Sequence, residues 1–366
     1  MAGAYLFEGE RLRLARVALG LTLDQLGVKV GATRQYLNQL EQGSKLPTDE
    51  MVEALSAALS VTNGFFATPT RDGVRPEQCH FRKQRTTPIS IVSQVLARGT
   101  LLDSFVSRLD HVLDLPEVSF PNIPVNSALD IELAAEATRN LWKLGTGPIS
   151  SMMRVVENAG AVVSFFGGVS ERVDALSIDR PRPMIIRSEA KPAACRLRFD
   201  LAHECGHLVM HRGVETGDKE TEGQANRFAS AFLLPRSSFI HEFPRGRLID
   251  WTAVFNLKLR WKVSAAAILR RAYDLRVISA DQYRTGYIHL SKTGQKRKER
   301  YDDHIPAEEP ELLARALKAL EDSSPGAVRR IAAEAGLGSD MFANVAGLNL
   351  PAPENMGATV IPLFGR

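Results

Sequence analysis

The sequence predicts a multidomain, mainly α-helical chain with an α+β core. Three observations predict it. Residues 8 to 60 carry apolar side chains at helical spacing, broken by capping signals. Three short β-type runs lie between 161 and 187, followed at once by two long helical patterns. Helical spacing then returns in the C-terminal third. The chain has 366 residues, and single cores rarely grow past roughly 250–300 residues, so two or three domains are expected. It is 44% hydrophobic and 24% charged, which excludes a disordered or fibrous chain.

No run approaches the roughly 18 uninterrupted apolar residues of a membrane span. Met1 to Glu10 lacks the basic-then-apolar pattern of a signal peptide. Cys79, Cys195 and Cys205 are too few and too scattered for a disulfide framework, which fits a reducing compartment. A cytoplasmic location with no membrane partner is therefore expected. The net charge of +4 does not by itself argue for nucleic acid. The basic stretch from 258 to 300, with Lys292, Lys296, Arg297, Lys298 and Arg300, reads as solvated surface.

The first block, 1–62, is all α. Its apolar positions are Leu12, Leu14, Ala15 and Ala18, then Leu23, Leu26 and Val30, then Leu37 and Leu40, then Val52, Leu55 and Leu59. Thr22 with Gln25 is a capping-box pattern, and Thr33 is a second N-cap. Gly31 and Gly43 supply turns, and Pro47 fits the start of a last helix. Residues 63–125 read as a connector with one helix near 91 to 112 and a proline-rich end. Cys79-His80 has no second pair nearby and is set aside as a metal site.

The block 126–245 mixes helix and strand. Helices are expected at 129–143 and 148–159, and strands at 161–166, 174–178 and 183–187. Helices at 193–211 and 219–234 follow, the second stopped by Pro235. Residues 246–366 read as helical, with Trp251, Leu257, Trp261, Ile268 and Leu269 packed inside.

The sharpest motif is His203-Glu204-Cys205-Gly206-His207. Two histidines four apart leave one helix face together, so both rings can reach one ion. Glu204 is placed to take a proton from a water activated there and to return it to a leaving amine. Leu197, Leu201, Cys205 and Leu208 form an apolar stripe beside that face. Gly206 weakens the helix, and a small residue there allows a close approach by another element. A catalytic zinc site needs a third protein ligand and one open position. Glu222 on the next helix is the candidate, with Glu220 as rival, and Asn226 can hold a ligand histidine by its free ring nitrogen. Zn²⁺ suits the set, and an open N/O site also accommodates Mn²⁺. His211 reads as a fourth ligand, a substrate contact or a plain histidine at a helix C-terminus. The strand at 183–187 is expected to be an edge that pairs with extended substrate. Tyrosine and arginine candidates for an oxyanion donor are many, and none is singled out.

Residues 22 to 41 have the spacing of a helix-turn-helix. Its second helix would present Arg34, Gln35, Asn38 and Gln39 to base edges of double-stranded DNA. Gln25, Thr33, Ser44 and Lys45 are candidate phosphate contacts. Reading paired half-sites would call for a homodimer.

Residues 8 to 60, with Thr33-Arg34-Gln35-Tyr36-Leu37-Asn38-Gln39-Leu40-Glu41-Gln42-Gly43, resemble the Cro/C1-type (XRE) helix-turn-helix family. Residues about 145 to 240 resemble the ImmA/IrrE metallopeptidases. The resemblance rests on Phe199-Asp200-Leu201-Ala202-His203-Glu204-Cys205-Gly206-His207, on Glu222-Gly223-Gln224-Ala225-Asn226-Arg227-Phe228-Ala229 and on Phe232-Leu233-Leu234-Pro235. It implies a gluzincin-like core of small sheet and metal-binding helices, whose relatives cleave transcriptional repressors in stress or phage-type responses. It carries the ligand roles to His203, His207 and Glu222 and the base to Glu204, and implies a regulatory role for 246–366. Cys205 stands where relatives often have Leu, and Asn226 where many gluzincins have Asp. Two readings follow. One is a zinc endopeptidase with a DNA-binding domain, acting on a repressor. The other is a DNA-binding regulator or antitoxin-like repressor whose metal domain is a sensor or scaffold.

Overall fold

The structure is a computed structural model that describes residues 7–69, 72–81, 88–166, 175–188, 193–295 and 298–352. The chain opens with α1 (Gly9–Ala18), α2 (Leu23–Val30), α3 (Arg34–Glu41) and α4 (Asp49–Leu59). The caps fall where the sequence sets them. Thr22 and Gln25 form the reciprocal capping box, and Thr33 Oγ1 accepts from Tyr36 N at 3.2 Å. Gly31 closes α2 at φ 68°, a left-handed turn that a side chain would resist. Arg16 on α1 clamps Glu41 at the end of α3 with two bonds of 2.6 and 2.9 Å.

The remaining elements run in order β1 (Cys79–Phe81), α5 (Ile89–Val112), α6 (Ala128–Leu141), α7 (Met152–Asn158), β2 (Val162–Phe166), β3 (Ala175–Ile178), β4 (Met184–Ser188), α8 (Ala194–Met210) and α9 (Lys219–Leu233). Then come α10 (Arg236–Glu242), α11 (Trp251–Trp261), α12 (Ala265–Asp274), α13 (Ala280–Lys292), α14 (Leu312–Ser323), α15 (Ala327–Glu334) and α16 (Ser339–Ala346). The chain is thus mainly helical around one small sheet. The helix expected from 148 begins only at Met152, capped by Ser151.

The sheet has order β1-β3-β4-β2; β2 and β4 are parallel, the other pairs antiparallel. Strand alternation sorts its side chains into two cores. Val162, Phe166, Leu176, Ile178, Met184 and Ile186 join α5, the N-terminal helices and α14–α16. Val163 and Ile185 join the core of α6–α9 and α11–α12 on the other face. The strand expected to be a substrate edge, 183–187, is instead interior: β4 is paired on both sides. The edge next to the metal helix is β1, three residues from the connector, too short to show a period of two.

α5 is the one described helix long and apolar enough to cross a membrane. Here it packs against α1 and the sheet, with Val95, Leu101, Leu102 and Phe105 buried. The C-terminal helices return to the N-terminal ones. Thr62 N donates to Gly336 O at 3.0 Å and Gly338 N to Ser60 O at 2.8 Å, around a bridge between Val61 and Leu337.

The basic stretch from 258 is not all surface. Lys292, Lys298 and Arg300 are exposed, and Lys296 and Arg297 lie outside the described residues. Lys258, fully buried, holds Glu299 at 2.7 Å and Asp302 at 2.5 Å. Arg271 grips Glu132 with bonds of 2.7 and 2.8 Å. Burying a cation costs much less when carboxylates such as these pair with it.

Arg198, in the second turn of α8, is fully buried, bonded to Glu308 and to the carbonyls of Ile149 (2.7 Å) and Lys262 (3.1 Å). It ties the metal helix to the C-terminal region. Arg198→Met should leave Glu308 as an uncompensated, mostly buried charge and cost about 3–5 kcal/mol, with Arg198→Met/Glu308→Gln costing less. Urea denaturation of both variants checks this; equal losses would refute the pairing argument.

Candidate metal centre

The site is made by two helices and one face of the sheet. α8 carries Leu197, Leu201, Cys205 and Leu208 on its apolar stripe, all buried in the same core. Cys205 therefore faces the core, where burial pushes its thiol far above the usual range. The opposite stripe presents His203 and His207. α9 lies against α8 through Phe228, whose side chain stands 3.0–3.2 Å from where a Cβ on Gly206 would be. That close packing carries Glu222, nearly two turns upstream, to the histidines.

His203 Nε2 and His207 Nε2 are 3.1 Å apart. Glu222 Oε2 lies 3.4 Å from the first and Oε1 lies 3.5 Å from the second. Ligand atoms about 2.0–2.1 Å from a tetrahedral zinc stand about 3.3–3.4 Å apart, so this triangle has the size of one face of a zinc site. Glu220, the rival acid, is exposed and accepts from Gln224 Nε2 at 3.4 Å, away from the histidines.

The hydrogen bonds behind the rings point both lone pairs inward. Asn226 Oδ1 is 3.1 Å from His203 Nδ1, which sets the proton on that nitrogen and leaves Nε2 as a lone pair. His211 ends α8, and its Nε2 donates to Gln224 Oε1 at 2.7 Å. Its Nδ1 then accepts from His207 Nδ1 at 2.9 Å, so His207 Nε2 is also a lone pair. Burial pulls His207 down to about 4, against an opposing contribution from Glu222, so the ring is neutral at pH 7. Two lone pairs and a carboxylate converge, and that donor set fits a divalent cation. His211 faces the far side of His207 from the triangle, so it braces a ring and does not point at the ion's place.

Glu204 is buried, and its Oε2 accepts from Ser177 Oγ on β3 at 2.7 Å. Burial pushes its carboxyl up to about 7, while His203 and Ser177 pull against this. Its proton affinity is thus near neutrality, as a group that accepts and returns protons requires.

Sequence reasoning missed two groups here. Ser177 stands opposite His80 in the β1–β3 register, so both share the face turned to α8. His80 is buried and stacks on His207 with ring centroids 5.1 Å apart and planes within 5°. Its Nδ1 meets Thr216 Oγ1 at 3.1 Å, and its Nε2 has no hydrogen-bond partner among the described residues. Cys79 joins the core on the opposite face, so Cys79 and His80 do not converge on an ion. A cavity of about 1000 Å³ opens along α9 beside Gly223 and Asn226 and is walled by Phe199, Arg270 and Tyr287.

The candidate DNA contacts are gathered on α3 and its flanks. Arg34, Gln35, Asn38, Ser44 and Lys45 are exposed, and Gln39 is half-buried. Arg34 reaches Asp24 at 3.4 Å. Lys45 stands over the Tyr36 ring at 5.8 Å. Ser44 Oγ bonds Gln39 O at 3.1 Å. Gln25 and Thr33 already serve as caps, Gln25 Oε1 accepting from Thr22 N at 2.8 Å.

Residues 9–63 match the family described as a helix-turn-helix domain, which spans α1 to α4. Residues 156–273 match the peptidase family described as an IrrE N-terminal-like domain, which takes in the three strands β2–β4, the whole metal triangle and the helices to α12. No curated protein matches the chain. The chain is therefore a helix-turn-helix DNA-binding domain fused to a peptidase-like domain of the ImmA/IrrE type.

Proposed function

We propose that this chain is a zinc-dependent, site-specific endopeptidase that its helix-turn-helix brings to double-stranded DNA in the cytoplasm. Its substrate is a transcriptional repressor, cut in a stress or mobile-element response. The observation that carries this reading is the ligand-sized triangle of His203, His207 and Glu222 with Glu204 beside it. A metal site used only for structure or sensing needs ligands, not a buried base held by its own hydroxyl donor.

His203, His207 and Glu222 would hold Zn²⁺, with Mn²⁺ the other fit for an open N/O site; the bound ion supplies the Lewis acidity that acidifies a water and polarises a peptide carbonyl. Glu204 takes the water's proton and delivers it to the departing amine. Ser177 fixes which carboxylate oxygen faces the water, because the other is occupied at 2.7 Å. Asn226 and His211 hold the ligand rings in their working tautomers. An extended peptide adds to the outer side of β1, the sheet edge nearest the metal helix. The cavity beside Asn226 takes substrate side chains. On the DNA module, Arg34, Gln35, Asn38 and Gln39 read bases, and Gln25, Thr33, Ser44 and Lys45 lie toward phosphates. The module acts as a homodimer on paired half-sites.

Elemental analysis should find one zinc per chain in wild type and Glu204→Gln, and none in His203→Ala. Neo-N-termini in a cell lysate treated with zinc-loaded wild type should then number a few, and Glu204→Gln should yield none of them. Identical termini from both proteins would sink the protease reading and leave a DNA-binding regulator whose metal is a sensor or scaffold.

His211→Ala should lower zinc affinity about 10–100-fold while Glu204 remains in place, since it removes only the brace on His207. Competition with a chromogenic chelator measures this; unchanged affinity would refute the relay. Arg34→Ala and Asn38→Ala should each weaken binding to an operator selected from a random duplex pool by about 1–3 kcal/mol, with zinc content unchanged. Fluorescence anisotropy at fixed salt decides it, and undiminished binding would remove α3 from the interface.

A further inference from the structure

A second cavity, of about 610 Å³, lies away from the metal centre, where the helix-turn-helix meets α5 and the turn between α15 and α16. That volume suits a small molecule. Three arginines line it; Arg180 is already paired with Asp72 and Asp103, and the other two are Arg11 and Arg108. Arg11, on α1, is 7% exposed. Its Nε donates to Phe65 O at 3.1 Å and its guanidinium lies 3.7 Å over the Phe65 ring. No carboxylate pairs with it among the described residues. Arg108, on α5, spends Nη1 on the Ser104 carbonyl and hydroxyl of its own helix, at 2.8 and 2.7 Å, and has no acidic partner there either.

The acids on the same walls are committed or outside. Asp72 and Asp103 both hold Arg180, at 2.7 and 2.8 Å. Glu334 stands exposed at the rim. Burial, reinforced by the charge of Arg108, pulls Arg11 down to about 10. Arg198, Lys258 and Arg271, buried as deeply, each have a carboxylate. Arg139 gives Nε, Nη1 and Nη2 to the carbonyls of Gly145, Phe232 and Gly147, whereas among the described residues Arg11 has only the Phe65 carbonyl, on Nε. A buried guanidinium facing a second one costs stability unless an anion comes between them.

We propose that this cavity binds a small molecule through a doubly charged oxyanion head, a phosphate or a dicarboxylate, held between the guanidiniums of Arg11 and Arg108. The planar forks of two arginines match such a head bidentately. Phe65 and the apolar Ala333 and Ala335 on the walls leave room for a body beyond the head. The walls come from α1, α5, the turn after β3 and the C-terminal helices, so the occupant touches both the DNA-binding and the peptidase-like parts. The site does not depend on the metal centre being catalytic.

The test is calorimetry and thermal unfolding of the full chain with inorganic phosphate, adenosine monophosphate and succinate, each against sodium chloride at equal ionic strength. At least one of the three should bind and raise Tm in wild type, with affinity at least tenfold weaker in Arg108→Gln and in Arg11→Gln. Succinate alone would mark a dicarboxylate head, phosphate and the nucleotide a phosphate head, and a tighter nucleotide a body in the cavity. Arg108 is half-exposed, so Arg108→Gln reports even where Arg11→Gln fails to fold. No binding beyond the chloride control, or binding undiminished in Arg108→Gln, would overturn the proposal.

Discussion

The metal centre depends on the distance between two helices, and that distance is set at Gly206. Any side chain there would meet the Phe228 ring at 3.0 Å. A helix interior loses about 0.8–1 kcal/mol by carrying glycine in place of alanine, and here the loss is offset by contact. With the glycine, α9 lies flat on α8, Phe228 and Phe232 stack at 5.5 Å, and Glu222 reaches both imidazoles. Moving α9 outward by the width of one methyl would open the triangle beyond the span of one ion. Because Asn226 and Gln224 ride on the same helix, the braces behind the rings would part with it.

The sheet has a different task, which is to separate two cores while joining them. Its alternate residues face α8 on one side and α5 with the C-terminal helices on the other. Ser177 and Ile178 are neighbours in the chain, yet the first bonds Glu204 and the second packs on α5, where Gly99 leaves space for it. A shift of α5 therefore bears directly on the strand that holds the base. The N-terminal helices pack on the far side of α5, so α5 and the sheet stand between the DNA-binding domain and the metal centre.

How much of this was legible in the sequence follows from the range of each interaction. The caps at Thr22 and Thr33, the pair His203 and His207, and the pair Glu222 and Asn226 are set within one or two helical turns, so spacing alone reveals them. The choice of Glu222 over Glu220 is likewise a matter of helix phase. His80 was illegible because its partners are distant: Thr216 lies 136 residues on, and a three-residue strand shows no period. The same reason made 258–300 read as surface. Lys258 and Arg271 are buried by carboxylates 41 to 139 residues away, and no local pattern announces them. The edge assigned to 183–187 failed because strand order is a property of the whole sheet; β1 and β2, which precede β4 in the chain, took the outer places.

The hydrogen-bond chain behind the ligands explains why this site needs so many neutral groups. Carboxylates are the commoner braces for ligand histidines and would push more electron density to the metal, but here the braces are an amide and a third imidazole. Each buried carboxylate would add a negative charge to a cluster that already holds Glu204 and Glu222. A further anion would raise the Glu204 carboxyl, already pushed to about 7 by burial, and leave it protonated at the pH where it must accept a proton. Asn226 and the His211–Gln224 pair orient both rings without adding charge. On this argument the amide at position 226 is not a weakened aspartate: it is what allows a base to remain a base inside a dry site.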